Sequence, residues 1–256
     1  MKKHITTLLL AVLGLTLVSF MTNDSIVLRF KPQVGKTMTY STKSTQIMTM
    51  NVQGQSMNTT QTLESKMQMT AKEVTADSIF CEMVTKSMKL TQSTMGMTLT
   101  FDSEHPENTS PMLAGATKAY QDLIDKKMQI VVDPLGKTIK SDSDNLQSLN
   151  TTFPEKAISE GSQWTNNHTQ TISDVEVNVT TTYTVAKITK KETTLNLEST
   201  LKSSVVNGTD SGSMVIDNAT GIAKSSTVKT NLNMTIEQQG ISIPMTLSGT
   251  TTTTIE

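Results

Sequence analysis

The chain has 256 residues, a formal net charge of −1 and 18% charged residues. This length allows one large β domain or two small ones, and the nearly neutral charge argues against nucleic acid as a partner. A single cysteine excludes an intramolecular disulfide, so a folded domain must be stabilised by its hydrophobic core.

Residues 1–22 have the pattern of a signal peptide. The basic start Lys2-Lys3-His4 is followed by an apolar run from Ile5 to Phe20. We expect cleavage between Ser19 and Asn23, and an uncleaved membrane anchor is the alternative. The run of about 17 residues is short for a membrane span, which needs about 20. The sequence therefore predicts export to the periplasm or the cell surface of a bacterium.

Apolar and polar residues alternate with a period of two through most of the remaining chain. This pattern predicts a short strand at Ile26–Phe30 and a long strand that begins after the turn at Val34-Gly35-Lys36. A third predicted strand carries Met67 and Met69 on one face. The alternation slips at its end, near Glu73-Val74, which predicts a β-bulge.

Cys81 belongs to the next predicted strand, which follows a turn at residues 75–78. Ile79 and Met83 share its face, so the thiol is expected to be buried and inert rather than nucleophilic. The strand after it presents four apolar residues on one face: Met95, Met97, Leu99 and Phe101.

One helix is predicted beyond the leader, from Pro111 to Lys127. Ser110 is a suitable N-cap, and proline is favoured at the first helical position. The apolar residues at helical spacing should pack on a sheet: Leu113, Thr117, Tyr120, Leu123 and Ile124. A second, weaker helical turn is predicted at Asn145–Asn150.

The strand pattern starts again at Phe153. Two turns echo each other, since Asp133-Pro-Leu-Gly136 and Asp217-Asn-Ala-Thr-Gly221 each follow an apolar strand. These echoes suggest a weak internal duplication, with pseudo-halves at 26–150 and 153–256. No strict period is visible, so a chance similarity between threonine-rich strands is the alternative.

Together these segments predict a mainly β fold. We expect an antiparallel sheet or open half-barrel of eight or more strands, with one amphipathic helix packed on it. No linker rich in Pro, Gly or Ser separates the halves, so residues 26–256 are expected to form a single antiparallel β domain with one continuous sheet.

Several turn and strand motifs carry a resemblance to a known family. They are Leu28-Arg-Phe-Lys31-x-x-Val34-Gly35-Lys36, Tyr40, Phe101-Asp-Ser103 and Asp133-x-x-Gly136-Lys137. In these motifs the chain resembles an uncharacterised family of secreted bacterial proteins, a β-rich domain of unknown function. Its architecture resembles, more loosely, the open barrels of periplasmic lipoprotein carriers, which cover an apolar cavity with a helix. The resemblance brings no active-site residues, and a fold alone does not imply a function.

The sequence contains no catalytic signature. His105 lies in a polar loop and His168 in a strand that is expected to be wet, and no G-x-S-x-G nucleophile motif is present. Asp142-x-Asp144 begins like a calcium loop, but the glycine and glutamate that should follow are missing. We therefore predict a protein that is not an enzyme, with no catalytic residues, no cofactor and no bound metal.

Methionine is the compositional anomaly, with 17 residues in the chain. Three Met-x-Met pairs would place two thioethers on one strand face, which suits Cu(I): Met48/Met50, Met67/Met69 and Met95/Met97. Methionine is equally a flexible core residue, or the lining of an adaptable apolar cavity. We expect such a cavity to be lined by Met67, Met69, Met97, Leu99, Tyr120 and Ile124.

These observations favour a non-enzymatic secreted or periplasmic binding protein for an apolar or amphiphilic ligand, such as a lipid or a lipoprotein. A structural or protein-interaction module of the cell envelope is the first alternative, and methionine-based copper binding in the periplasm is the second. The expected partner is a lipid, another apolar ligand or an envelope protein. The sequence leaves the oligomeric state open.

Overall fold

The structure is a computed structural model that describes residues 25–52, 54–142, 151–172, 175–238 and 241–255. The predicted signal peptide and the predicted helical turn at Asn145–Asn150 lie outside these residues. The described chain contains twelve strands, which are β1 (Thr37–Val52), β2 (Gln55–Val74), β3 (Ile79–Thr94), β4 (Met97–Asp102), β5 (Lys127–Val132), β6 (Thr138–Ser141), β7 (Gln163–Ile172), β8 (Val175–Ile188), β9 (Glu192–Lys202), β10 (Val206–Asp217), β11 (Ala223–Gln238) and β12 (Ile241–Ile255). It also contains the helix α1 (Ala114–Gln121) and short 3-10 turns at Pro106–Asn108 and Pro111–Leu113.

All twelve strands join one antiparallel sheet in the order β6-β5-β3-β2-β1-β12-β11-β10-β9-β8-β7, with β4 paired to β3 beside this path. The sheet is open, because β6 and β7 lie at its two ends. The predicted mainly β, antiparallel fold is confirmed. The predicted strand at Ile26–Phe30 is instead an extended segment with one isolated bridge, from Ile26 to Ile158.

Alternation explains why these residues form strands with one wet face. In β8 the buried Val177, Val179 and Val185 alternate with exposed or half-exposed polar residues. Threonine is common on the wet face, since its branched side chain suits a pleated surface and its hydroxyl tolerates water.

The sheet curls so that strands far apart in its order share a core. Met69 of β2 and Cys81 of β3 belong to the same buried cluster as Val185 of β8 and Leu195 of β9. Burying each such aliphatic side chain contributes roughly 1.5–3 kcal/mol. A second buried cluster fills the inner face farther along the strands: Val177, Val179, Leu201, Val206, Leu232, Met234 and Met245.

Two extended segments, residues 25–33 and 151–162, close one end of the curled sheet. The guanidinium of Arg29 donates hydrogen bonds to the carbonyl oxygens of Pro154 (3.1 Å) and Glu155 (2.7 Å). Phe30 and Phe153 of these segments are both buried in the shared core. The segments therefore connect the two halves through backbone contacts as well as through apolar packing.

The order in which the strands pair is the same in the two halves of the chain. The pairings β1-β2-β3-β5-β6 correspond to β7-β8-β9-β10-β11, and β12 joins the halves by pairing with both β1 and β11. Register shifts occur at equivalent places, at residues 71–73 in β2 and 185–187 in β8. A second matched pair lies at 131–132 in β5 and 215–216 in β10. The first of these shifts confirms the bulge predicted near Glu73-Val74.

The turns at Asp133–Gly136 and Asp217–Gly221 also have similar hydrogen-bond patterns. Asp133 Oδ1 accepts the backbone N–H groups of Leu135 and Lys137, and Asp217 Oδ1 accepts those of Ala219 and Thr220. Each turn ends in a glycine with positive φ, 86° at position 136 and 66° at position 221. Matching pairings, bulges and turns give structural support to an internal duplication.

The helix is much shorter than predicted. It begins at Ala114 and ends at Gln121, and Asp125 then adopts a left-handed conformation with φ of 58°. The Ser110 hydroxyl does not cap the helix, because it accepts the N–H of Thr100 in β4 at 2.9 Å. Within the described ranges, no helix has the length and apolar character needed to cross a bilayer.

Candidate binding cavity

The inner face of the curled sheet lines a partly open cavity of about 380 Å³. Its walls come from β1–β3 on one side and β7–β12 on the other, and Phe30 and Phe153 of the end-closing segments also line it. The cavity therefore lies between the two repeated halves.

Methionine and aromatic side chains form the apolar part of the lining. Four methionines from three strands contact the cavity: Met67, Met69, Met83 and Met214. Tyr183 lies beside them and stacks on Trp164, with ring centroids 5.2 Å apart. Rigid rings next to flexible thioethers make a surface that can adapt to apolar ligands of different shape.

A band of polar residues crosses the same inner face. Thr181 of β8 and Ser199 of β9 satisfy each other, with their hydroxyl oxygens 2.8 Å apart. The Thr151 hydroxyl donates to the Met214 sulfur at 3.0 Å. These hydroxyls have partners within the protein, so burying them costs little.

Asp210 is the exception in this band. It lies in β10 directly opposite Ser199 of β9 and Thr230 of β11. Its Oδ1 is buried and has no hydrogen-bond partner among the described residues. Burial raises the pKa of the carboxyl group above its usual range, and a hydrogen bond with Thr230 offsets part of this effect.

His168 of β7 also lines the cavity, so it is less exposed than the sequence pattern suggested. The side chain is half-buried opposite Val179 of β8. Desolvation lowers the pKa of the imidazole, because burial disfavours its charged form. The neutral ring is therefore the dominant form at neutral pH.

Tyr40 and Cys81 complete the ionisable groups near the methionines. Burial raises the pKa of the Tyr40 hydroxyl, and the nearby Cys81 thiol adds to the rise. Burial raises the pKa of Cys81 itself to about 11. The thiol is therefore protonated and buried at neutral pH, as the sequence pattern predicted.

Two of the six residues expected to line a cavity do so, Met67 and Met69. The other four lie elsewhere. Met97 is 59% exposed at the start of β4, and Leu99 follows it in the same strand. Tyr120 of α1 packs on Phe101, with ring centroids 5.3 Å apart, and Ile124 forms an isolated bridge with Thr85.

The most distinctive residue, Asp210, was missed by sequence reasoning, although a signal was present. Val206, Met214 and Ile216 show which face of β10 points inward, and Asp210 is in phase with them. A carboxylate on the same strand face as buried residues must be paired with a cation or hydrogen-bond donors, or it must be protonated.

The loop before the helix has structural roles. Asp102 is buried, pairs with Lys89 at 3.1 Å and accepts the N–H groups of Glu104 and His105. Burial alone would raise the pKa of Asp102, but these bonds outweigh it and lower the pKa. His105 is exposed and lies 3.3 Å from Glu107. Across the described ranges, no group of three or more His, Cys, Asp or Glu side chains is placed to hold a metal ion.

Comparison with known proteins gives one match. No curated protein matches the chain. The model of a family described as "Family of unknown function (DUF6263)" matches residues 139–223, which run from β6 to the start of β11. This segment includes His168 and Asp210, and it covers less than half of the chain. The match confirms the resemblance to an uncharacterised family: residues 139–223 are similar to a domain of unknown function.

Proposed function

We propose that the chain is a non-enzymatic, exported binding protein that holds an apolar or amphiphilic ligand on the inner face of its curled sheet. The cavity carries this proposal. Its volume of about 380 Å³ lies in the range of about 300–1,000 Å³ that is usual for small-molecule sites. An apolar lining with a few polar groups is also typical of such sites.

The arrangement of the lining favours an amphiphile over a purely apolar molecule. Met67, Met69 and Met83 supply adaptable apolar contacts, whereas Thr181, Ser199 and Asp210 supply the polar band. A ligand with an apolar body and a polar head would meet both surfaces, and the polar groups would fix its orientation.

The test is binding of N-phenyl-1-naphthylamine, an uncharged probe whose fluorescence rises in apolar surroundings. Ser226 of β11 lines the cavity, so Ser226→Phe should fill part of it. Thr227 is the next residue on the same strand and is exposed on the opposite face, so Thr227→Phe is the matched control.

We expect saturable probe binding by the purified protein and by Thr227→Phe. Binding by Ser226→Phe should be at least about tenfold weaker, because the added ring occupies part of the volume that the probe needs. Binding that is absent, or that Ser226→Phe leaves unchanged while the variant remains folded, would overturn the proposal.

A second candidate function is Cu(I) binding in the same cavity. The observation that favours it is the convergence of Met67, Met69, Met83 and Met214 on one cavity. Thioethers are soft ligands that select Cu(I). Met67→Leu and Met83→Leu conserve volume and remove sulfur, so they should abolish competition with a Cu(I) chelator if copper is the ligand. Unchanged competition would exclude this function.

Export is part of the proposal and rests on the leader at residues 1–22. We expect the protein recovered from a cell-envelope fraction to lack about the first 19–23 residues, where the apolar run ends. Intact-mass measurement checks this. The full 27.9 kDa chain in the cytosol would contradict it.

A further inference from the structure

The chemistry of Asp210 narrows the class of ligand. Asp210 lies on the inner face of β10 and lines the cavity. On that face its neighbours along the strand are Gly208 and Gly212, which have no side chains to cover the carboxyl group. Its buried Oδ1 has no hydrogen-bond partner among the described residues.

The cavity supplies no positive charge to balance this carboxylate. Among the described residues that line it, the other titratable groups are His168 of β7, Tyr40 of β1 and Tyr183 of β8, and none is Lys, Arg or Glu. Desolvation keeps His168 neutral near pH 7, and burial raises the pKa of both tyrosines. A carboxylate with a buried, unpartnered oxygen and no counter-charge is unfavourable, so the site favours either a bound proton or a nearby cation.

We propose that the cavity takes a cationic amphiphile, whose ammonium group pairs with Asp210 while its apolar chain contacts Met67, Met69 and Met83. This inference rests on the proposed function and adds the sign of the ligand's charge. The ligand supplies the positive charge that the lining lacks. The hydrogen bond with Thr230 holds the carboxyl group without neutralising it.

Binding of a cation should be linked to the loss of a proton from Asp210. Because burial raises the pKa of this carboxyl group, a fraction of the empty protein carries the proton there, and the cation must displace it. Affinity for a permanently charged cation should therefore rise as the pH increases. Protonation of His168 at low pH would also weaken cation binding. Mutation of each residue is therefore needed to tell the two contributions apart.

The experiment is calorimetric titration of the full chain with dodecyltrimethylammonium and dodecanol, each below its aggregation concentration. The two probes share an apolar chain and differ in charge, and the quaternary ammonium keeps its charge at every pH. Asp210→Asn removes the carboxylate with little change in shape. Asp77→Asn removes an exposed carboxyl group in the β2–β3 turn and controls for net charge.

We expect the wild-type protein and Asp77→Asn to prefer the cation over the alcohol by about tenfold or more, because the cation and the partly buried carboxylate attract each other. Asp210→Asn should lose this preference and still bind dodecanol. The rise in cation affinity with pH should persist in His168→Gln. It should be smaller in Asp210→Asn, where only the protonation of His168 remains, and it should disappear in the variant that carries both substitutions.

Equal affinity of the wild-type protein for the two probes, or a preference that survives in Asp210→Asn, would overturn the inference. Dodecanol binding without a preference for the cation leaves the proposed function standing and removes only the cationic head group. Failure of both probes to bind would overturn the proposed function as well.

Discussion

The carboxylate of Asp210 is expected to destabilise the folded protein, although the proposed function needs it for ligand binding. Its carboxyl group lies among Ser199, Thr230 and two glycines, with one buried oxygen that has no partner among the described residues. Burial raises its pKa in the folded state, so the folded protein holds a proton there that the unfolded chain releases. The contribution of Asp210 to stability should therefore fall as the pH rises from the unfolded pKa, about 3.9, through the folded pKa.

The first prediction concerns this pH dependence. Relative to the wild-type protein, Asp210→Asn should have a higher melting temperature, by an amount that grows through this pH window and then levels off. Thermal unfolding at a series of pH values measures it, with Asp77→Asn as the control for loss of one negative charge. A difference that stays constant or shrinks as the pH rises would show that the carboxylate is not destabilising.

At the scale of single elements, the turn between β10 and β11 holds the first extended segment in place. Lys31 donates its N–H to the Thr220 carbonyl at 2.7 Å, and Gly221 follows with φ of 66°. A Cβ at Gly221 would overlap the carbonyl group of Arg29. Gly35 has a similar φ of 77°, but nothing lies within 4 Å of its missing Cβ.

The second prediction uses this contrast. Gly35→Ala should cost about 1–2 kcal/mol of unfolding free energy, the price of a left-handed alanine. Gly221→Ala should cost roughly 1–3 kcal/mol more, since the overlap with Arg29 must also be relieved. Urea unfolding of both variants measures the difference. Equal losses would mean that the first segment does not pack against this turn.

Local patterns predicted most elements because each depends on neighbouring residues. Alternation identified the strands, and the sequences Asp133–Gly136 and Asp217–Gly221 identified the turns. The predicted helix was too long, because contacts with residues distant in sequence determine where the helix ends. Asp125 donates its N–H to the Thr85 carbonyl at 2.9 Å, which draws the chain into the sheet four residues after α1 ends.

At the scale of the whole molecule, the two halves depend on each other. Strand β1 pairs with β12, and the shared cluster combines Met69 and Ile79 of the first half with Leu195 and Ile216 of the second. Either half alone would expose much of this apolar surface to water.

The third prediction is that the fragment 151–256 does not fold cooperatively by itself, although it contains six of the twelve described strands. Its proton NMR spectrum should lack dispersed methyl signals, and adding the fragment 25–150 should restore them. A cooperative thermal transition in the isolated second fragment would contradict the shared core.

The cavity could be predicted only in part, because its composition depends on how the sheet curls. Met67 and Met69 do line the cavity, since the inner face of β2 can be recognised from alternation. Leu99 pairs with Gln92 at the far end of β3, about 30 Å along the strand from Met83. Periodicity cannot distinguish the two ends of one inner face, so Met97 and Leu99 were grouped with residues that they do not meet.

The central claim is that the inner face of the sheet holds one amphiphile, and native mass spectrometry of the purified chain tests it most directly. We expect a single adduct per chain after addition of dodecyltrimethylammonium, or a ligand already bound on purification, and loss of either in Ser226→Phe. A clean unliganded mass for the wild-type protein under the same conditions, or an adduct that Ser226→Phe retains, would contradict the account.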